Sequence, residues 1–376
     1  MSSNDHSAAT ESAANLVTPE PGATQTGRPG RTPLQYPRRS LRAVLNSAVA
    51  PILFATAALF LVSWIVEPAS VGSGALLGML PFAAILAIIA MGQTLVVQQG
   101  GIDLSVPGMV SFTVIIMTVY PAGNPSKLPA ALAIVFAGTL LAGLVSGIIV
   151  SRIGVTPIVV TLGMNALLYG AVLHTTLSPR PTTSDLANFA SSRFIAGIPN
   201  TVIIAVALTA IVGFTVKKTV VGRRFEAVGA GLFGARAAGL ETRRYQLAAY
   251  VAAAALYCIG SVLLAGVVAT PTLFQGDDYL LPPIAAVVLG GTSLLGGRGS
   301  VVATAVAALF LEQLNQFVLV SQAPQGVQLL VNAAALAAGV AIYSVRWRRV
   351  ISNLRTRSKG RQDGVGTNTD VGVQAT

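Results

Sequence analysis

The chain has 376 residues, of which 53% are hydrophobic and only 10% are charged, and its mean hydropathy is +0.72. Soluble domains carry about 25% charged residues, so this composition excludes an ordinary soluble domain. The net charge of +11 would favour nucleic acid in a soluble protein, but no basic stripe is interleaved with aromatic residues. We therefore expect membrane lipid as a partner and no nucleic acid.

The chain divides into a membrane domain and two polar ends. Residues 1–44 are rich in Ser, Thr, Pro, Gly and Ala and predict a disordered cytoplasmic tail, and residues 349–376 predict a second cytoplasmic tail. Residues 45–348 carry long apolar runs, which predict helices because they are too long for the strands of a membrane barrel. The predicted fold is an all-α, polytopic membrane bundle.

Ten apolar stretches are predicted to span the membrane. In chain order they are Val49–Val66, Ala75–Val97, Val106–Tyr120, Leu128–Val150, Val155–Leu177, Ile198–Val216, Tyr245–Ala269, Tyr279–Leu295, Val301–Val320 and Val327–Val345. Small residues occur within them, including Gly138 and Gly143 of the fourth and Gly260 of the seventh. Such residues let helices approach closely in lipid, so a tight bundle is expected.

The Lys and Arg residues predict how these spans are oriented. If the chain threads alternately through the bilayer from a cytoplasmic N-terminus, 21 of the 24 basic residues fall on the inner side. Only Lys127, Arg180 and Arg193 fall on the outer side. Since basic residues are retained in cytoplasmic loops, both termini are expected in the cytoplasm, and the protein is expected in the cell membrane.

Two interruptions of the apolar pattern match each other. The first Gly–Gly break is Gln98–Ser105 and the second is Gly290–Gly299, and each lies at the end of an even-numbered span. Paired short or broken segments in two halves of a membrane protein indicate a transport site. The candidate residues of a translocation path are Gln98, Gly100, Gly101, Asp103, Ser105, Gly290, Gly291, Thr292, Ser293 and Glu312.

Each of these candidates has an alternative explanation. The two breaks are equally consistent with turns between helices at the inner surface. The sequence slightly favours Asp103 as a cap of the following helix over a role in the path. Glu312 begins a polar stripe with Gln313, Asn315 and Gln316. An ionisable residue within a span indicates function, because its burial is costly, but a contact between helices at a dimer interface explains the stripe equally well.

Residues for catalysis are scarce. The chain lacks the phosphate-binding pattern G-x-x-x-x-G-K-[ST], and His6 and His174 have no partners at metal-ligand spacing. The single cysteine, Cys258, predicts a buried, inert thiol. We therefore expect no enzyme activity, no cofactor and no metal site. The aromatic residues that could stack on a sugar lie mostly near span ends, which favours interfacial anchoring: Trp64, Phe82, Phe112, Tyr120, Tyr169 and Phe274.

Three runs of this chain resemble signatures of the ribose-type permeases of ATP-binding cassette importers. They are Ala90–Val96 with Gly100–Val106, then Thr156–Met164, then Ile284–Gly299. The resemblance extends over roughly residues 45–345. It implies a membrane subunit of a monosaccharide importer, paired with an identical or different permease chain. It also implies a separate ATPase subunit and an extracytoplasmic sugar-binding protein.

A fourth run, in the inner loop 217–244, resembles the cytoplasmic coupling segment of that family, which docks in a groove of the ATPase. Gly231, Leu232 and Phe233 depart from the family's usual residues there. The local chemistry predicts a short helix over 232–238, ended by a glycine in the left-handed cap position. Exposed Leu232 and Phe233 favour a protein partner over a solvated loop. The candidate coupling residues are Gly229, Leu232, Phe233, Ala235, Arg236 and Gly239.

The function predicted is therefore that of the permease subunit of an ATP-driven importer, forming the path for a ribose-like pentose or a hexose. ATP hydrolysis is expected on the separate subunit. Two alternatives remain open at this point. The wider superfamily contains permeases for nucleosides and branched-chain amino acids. A secondary transporter would need ion or proton ligands near the midplane, and Glu312 is the only such candidate in the sequence.

Overall fold

The computed structural model describes residues 49–175, 178–195 and 197–322, together with separate positions up to 337. Over these residues the chain is helical apart from one short antiparallel pairing of two strands. The elements are α1 (Ala50–Val66), α2 (Ser73–Gln98), α3 (Val106–Val119), α4 (Leu128–Ile148), α5 (Pro157–Thr175), α6 (Ser184–Ser191), β1 (Arg193–Ile195), β2 (Ile198–Pro199), α7 (Asn200–Lys218), α8 (Val220–Ala230), α9 (Leu232–Ala237), α10 (Thr242–Val267), α11 (Pro282–Leu289) and α12 (Val301–Val320).

The bundle is built around two helices of 26 residues, α2 and α10. These two pack against each other, α10 also packs against α3 and α4, and α12 packs against α1 and α2. The second half of α2 is apolar on nearly all sides and is buried throughout, as a central helix must be. By contrast, α1 and α7 expose large apolar side chains such as Phe54 (63%) and Phe214 (64%), as expected of helices that face lipid.

Glycines let α4 lie directly against α10. A Cβ atom added at Gly143 would stand 2.5 Å from Cβ of Ala254, and one at Gly147 would stand 2.7 Å from Cδ1 of Leu247. A side chain at either position would force the two helices apart, which would forfeit packing contacts that lipid-embedded helices depend on. The predicted tight bundle is confirmed at this contact.

Helices α3 and α11 are both too short to cross a bilayer on their own. At about 1.5 Å per residue, the 14 residues of α3 cover about 21 Å and the 8 residues of α11 cover about 12 Å. Helix α3 begins beside the interior of α5, because the backbone N–H of Leu104 donates to Thr161 Oγ1 (2.9 Å) and that of Gly108 donates to Asn165 Oδ1 (2.7 Å). The N-terminus of α3 therefore lies about 6–12 Å along α5 from Pro157.

The segment between α10 and α11 also enters the bundle. Helix α6 packs on the C-terminal end of α10, where Thr182 donates its backbone N–H to Ala269 O (3.3 Å). From there the chain turns back and forms a short 3₁₀ helix, Gln275–Tyr279, against the first turns of α3. We call residues 268–281 the re-entrant segment. Helix α11 continues from its inner end towards the second Gly–Gly break.

Nine of the ten predicted spans coincide with helices, and most of the tenth, like both predicted tails, lies outside the described residues. Within the part of the chain that the structure describes, six helices are long and apolar enough to cross a membrane by themselves. The predicted span Tyr279–Leu295 is wrong in extent, because its only α-helix is Pro282–Leu289. Pro282 and Pro283 lack the N–H groups that would extend this helix backwards, and Gly290–Gly291 ends it.

Candidate functional site

Both Gly–Gly breaks end their helices with the same backbone motif. At the first, Gly100 has a φ of +79°, Gly100 N–H donates to Val97 O (2.9 Å) and Gly101 N–H donates to Val96 O (3.2 Å). At the second, Gly291 has a φ of +75°, and the equivalent bonds run from Gly291 to Val288 (2.8 Å) and from Thr292 to Val287 (3.1 Å). This is the Schellman motif, in which a left-handed glycine satisfies the last carbonyl groups of a helix.

After the first break, buried side chains hold the extended chain in place. The amide of Gln93 lies 3.2 Å from both the backbone N and the backbone O of Asp103, and its nitrogen lies 3.0 Å from the Tyr257 hydroxyl. The Asp103 carboxylate accepts from Ser105 N–H (2.9 Å) and Ser105 Oγ (2.6 Å), directly before α3. All of these groups are buried, and a buried polar group is tolerated only when it is hydrogen-bonded.

At one end of the bundle, three segments meet at a set of residues that we call the inner junction: Gln98, Gln99, Gly229, Gly296 and Gly297. Gly297 N–H donates to Gln98 O (2.9 Å), and the Gln99 side chain donates to Phe225 O of α8 (2.9 Å). A Cβ atom at Gly229 would stand 1.9 Å from Gln98 O. The two breaks and the inner loop are therefore in direct backbone contact.

The coupling segment leaves this junction and exposes one large apolar side chain. Phe233, in α9, is 88% exposed, whereas Leu232 is half-buried and Ala235 is buried. The expectation that both Leu232 and Phe233 are exposed is therefore wrong for Leu232. Gly239, with φ at +78°, follows the end of the helix as predicted.

Arg236 is held on the same segment. Its Nε donates to Thr242 Oγ1 (3.0 Å). A cleft of about 340 Å³ lies beside it, lined by Arg236, Leu240, Glu241, Thr242 and Arg243. This face of the inner loop therefore combines the basic side chains of Arg236 and Arg243 with an open cleft.

The polar residues of α12 do not belong to the inner junction. Glu312 is half-buried and lies 11 residues after Val301, or about 16 Å along the helix. Gln313 is fully buried, and both of its side-chain polar atoms lack hydrogen-bond partners among the described residues. The side-chain polar atoms of Gln98 and Thr292 are also buried without hydrogen-bond partners among the described residues. Among the described residues, no group of three or more His, Cys, Asp or Glu side chains is placed to hold a metal ion.

One cluster was missed by the sequence analysis. The rings of Tyr169 (α5) and Phe274 lie 4.8 Å apart between centroids, and the Tyr169 hydroxyl donates to the Asp277 carboxylate. The sequence favoured interfacial anchoring for both aromatic residues and left Asp277 in an outer loop. The signal available was the re-entrant sequence itself: Gly276, two adjacent acidic residues and the Pro282–Pro283 stop.

Paired interrupted helices and a re-entrant segment within the bundle are features of membrane transport proteins. A family model described as "Branched-chain amino acid transport system / permease component" matches residues 75–344. The chain belongs to this family of transport permeases.

Curated relatives cover most of the chain. The galactofuranose transporter permease protein of Escherichia coli (strain K12) is 33% identical over 74% of this chain and 82% of its own length. The fructose import permease protein of Bifidobacterium longum (strain NCC 2705) is 32% identical over 76% and 81%. The ribose import permease protein of Escherichia coli (strain K12) is 29% identical over 71% and 84%. No solved structure matches the chain.

Proposed function

We propose that this chain is the permease subunit of an ATP-driven importer and forms the membrane path for a monosaccharide. The observation that carries this proposal is the match, over more than four fifths of their length, to relatives named for galactofuranose, fructose and ribose. Family membership over residues 75–344 supports the permease role. The transported sugar is a pentose or hexose delivered by an extracytoplasmic binding protein.

The arrangement in the membrane follows from the charges. The chain has ten spans with residues 45–348 as the permease domain, and the tails 1–44 and 349–376 lie in the cytoplasm. The contact between Gly297 and Ala230 supports this arrangement, because it joins the loop that carries Arg298 to the basic inner loop 217–244. Basic loops on one end of the bundle are the pattern of a cytoplasmic face.

The energy for transport comes from a separate ATPase subunit that docks on the inner loop 217–244. Exposed Phe233 on α9 supports this docking, because a side chain of this size gains about 1.5–3 kcal/mol on full burial in a partner. The inner junction then transmits movements of the docked ATPase to both Gly–Gly breaks, because it joins them to the inner loop by direct contacts. A second permease chain completes the path.

ATP-dependent uptake tests this function. Proteoliposomes that contain the permease, its ATPase and its binding protein should accumulate labelled ribose, fructose or galactose when ATP is supplied, and should stop when ADP replaces ATP. Leucine and adenosine serve as probes for the two other substrate classes. Uptake of leucine or adenosine alone would reassign the substrate, and sugar uptake that continues without ATP would identify a secondary transporter.

A further inference from the structure

The re-entrant segment places two carboxylates deep in the bundle. Gly276 N–H donates to Ser111 Oγ (2.9 Å), and a Cβ atom at Gly276 would stand 1.9 Å from Pro107 O, so the segment lies on the first turns of α3. Pro107 and Ser111 precede Val119, the last residue of α3, by 12 and 8 residues. The short 3₁₀ helix therefore sits about 12–18 Å below that end of the helix.

At this depth, a charged side chain cannot face lipid. The hydrocarbon core of a bilayer is about 30 Å thick, and ionisable side chains within it face a protein interior or a water-filled cavity. Asp277 and Asp278 are both exposed, and the ion pairs among the described residues, Lys217–Glu226 and Arg244–Glu241, do not include them. The exposed side of the short helix thus borders water, and the translocation path is the aqueous space that a permease provides.

The groups beside these carboxylates match the chemistry of a sugar. The Phe274 and Tyr169 rings form an apolar surface on which the C–H face of a sugar ring stacks. Tyr169 donates to one oxygen of Asp277, so the second oxygen is available to accept from a sugar hydroxyl. A few polar groups on an apolar wall are the usual composition of a small-molecule site.

We propose that Tyr169, Phe274 and Asp277 form a monosaccharide-binding subsite in the translocation path, at the tip of the re-entrant segment. This inference rests on the proposed function, because it takes the sugar to be the transported substrate. The subsite is distinct from the Gly–Gly breaks, which lie on the inner side of it. It holds the sugar after release from the binding protein and discriminates by ring stacking and by one hydroxyl contact.

Cysteine labelling tests the subsite directly, because the single native cysteine, Cys258, is fully buried and gives a low background. Asp278→Cys places a reporter thiol beside the subsite, and Phe54→Cys places a control thiol on the exposed, lipid-facing side of α1. A charged, membrane-impermeant thiol reagent should label the first variant and leave the second unlabelled. Failure to label Asp278→Cys would overturn the placement in an aqueous path.

Protection by sugar then tests binding. Ribose, fructose or galactose should slow the labelling of Asp278→Cys several-fold, and leucine should not. Adding Tyr169→Phe or Phe274→Leu should abolish protection while the thiol still reacts, which shows that the segment remains in place. Adding Tyr120→Phe, which removes a hydroxyl from an exposed tyrosine elsewhere, should keep protection.

The outcomes separate this inference from the proposed function. If the parent protein imports a sugar with ATP but no sugar slows labelling, the subsite is wrong and the importer stands. If protection survives both Tyr169→Phe and Phe274→Leu, the sugar binds elsewhere and the subsite is also wrong. If no sugar is imported by the complete complex, the proposed function itself fails.

Discussion

The two Gly–Gly breaks end their helices alike and are then held in different ways. After Gly100, buried side chains fix the chain, with Gln93 on Asp103 and Thr161 on Leu104. After Gly291, the loop is held largely by backbone contacts, and Leu295 at its tip is 93% exposed. The first helix end is thus fixed by side-chain hydrogen bonds, and the second is fixed by backbone contacts at the inner junction while its tip stays exposed.

The inner junction joins the two breaks, so its disruption should have the largest effect. In Gly229→Val, the new side chain would overlap Gln98 O and force the inner loop away from both breaks. Overpacking of this kind costs about 1–3 kcal/mol and can exceed that range. Thermal unfolding in detergent and sugar uptake should both fall. Gly163→Val, on an exposed face of α5 with no atom within 4 Å of the added Cβ, should stay close to the parent protein.

The next largest effect is expected from substitutions of Gly101 and Gly291, for two different physical reasons. Gly291→Leu forces a branched side chain into a left-handed conformation, at a cost of about 1–2 kcal/mol. Gly101 has no positive φ, and Gly101→Leu is instead unfavourable because its Cβ would stand 2.7 Å from the Tyr250 hydroxyl.

Both variants should insert into the membrane and transport less sugar, as measured by membrane fractionation and uptake. Gly74→Leu, where the added Cβ meets no atom within 4 Å, is the control. Normal uptake by both variants would show that the breaks are ordinary turns without a role in transport.

Removal of the Thr161 hydroxyl should destabilise the first break and leave the second unchanged. In Thr161→Val, Leu104 N–H loses its acceptor, and an unsatisfied buried donor costs about 1–3 kcal/mol. The matched change Thr175→Val removes a hydroxyl that donates to Ala171 O within its own helix, at an exposed position. Thermal unfolding should therefore drop for the first variant and hardly change for the second. Equal drops would contradict the difference drawn between the two breaks.

The smallest effect is expected where one side chain links a break to the inner loop. Gln99→Met keeps the size of the side chain and removes its bond to Phe225 O, worth about 1 kcal/mol. ATP hydrolysis by the assembled complex should persist, and the number of sugars imported per ATP should fall. An unchanged ratio would show that this bond carries no coupling.

The helices were largely predictable because apolar length is a local property of the sequence. Pro282–Pro283 and Gly290–Gly291 even marked the limits of α11, but counting apolar residues merged this short helix with its neighbours into a span. The re-entrant segment was not predictable in the same way. Its residues are polar enough to be interpreted as an outer loop, and tertiary contacts such as that of Gly276 with Pro107 and Ser111 place them within the bundle.

The candidate site likewise combines features that were visible in the sequence with contacts that were not. Glycines that end helices were visible in the sequence, since a Gly–Gly step after an apolar run is a known stop signal. Which distant segment each glycine touches was not visible. Gly229 and Gln98 are far apart in the chain, and their contact depends on how three loops converge at one end of the bundle. The pairing of Tyr169 with Asp277 is non-local for the same reason.

Docking of an ATPase at α9 is the step on which the proposed function rests, and co-purification with the double variant Leu232→Asp, Phe233→Asp tests it directly. Phe233 is the more exposed of the two side chains, so Phe233→Asp alone should already weaken the complex. The double variant should insert normally, lose the ATPase on purification and lose sugar uptake. Phe189→Asp, a similar change on exposed α6 at the opposite end of the bundle, should retain the ATPase. If the double variant keeps its ATPase and transports at the normal rate, the coupling assignment is wrong.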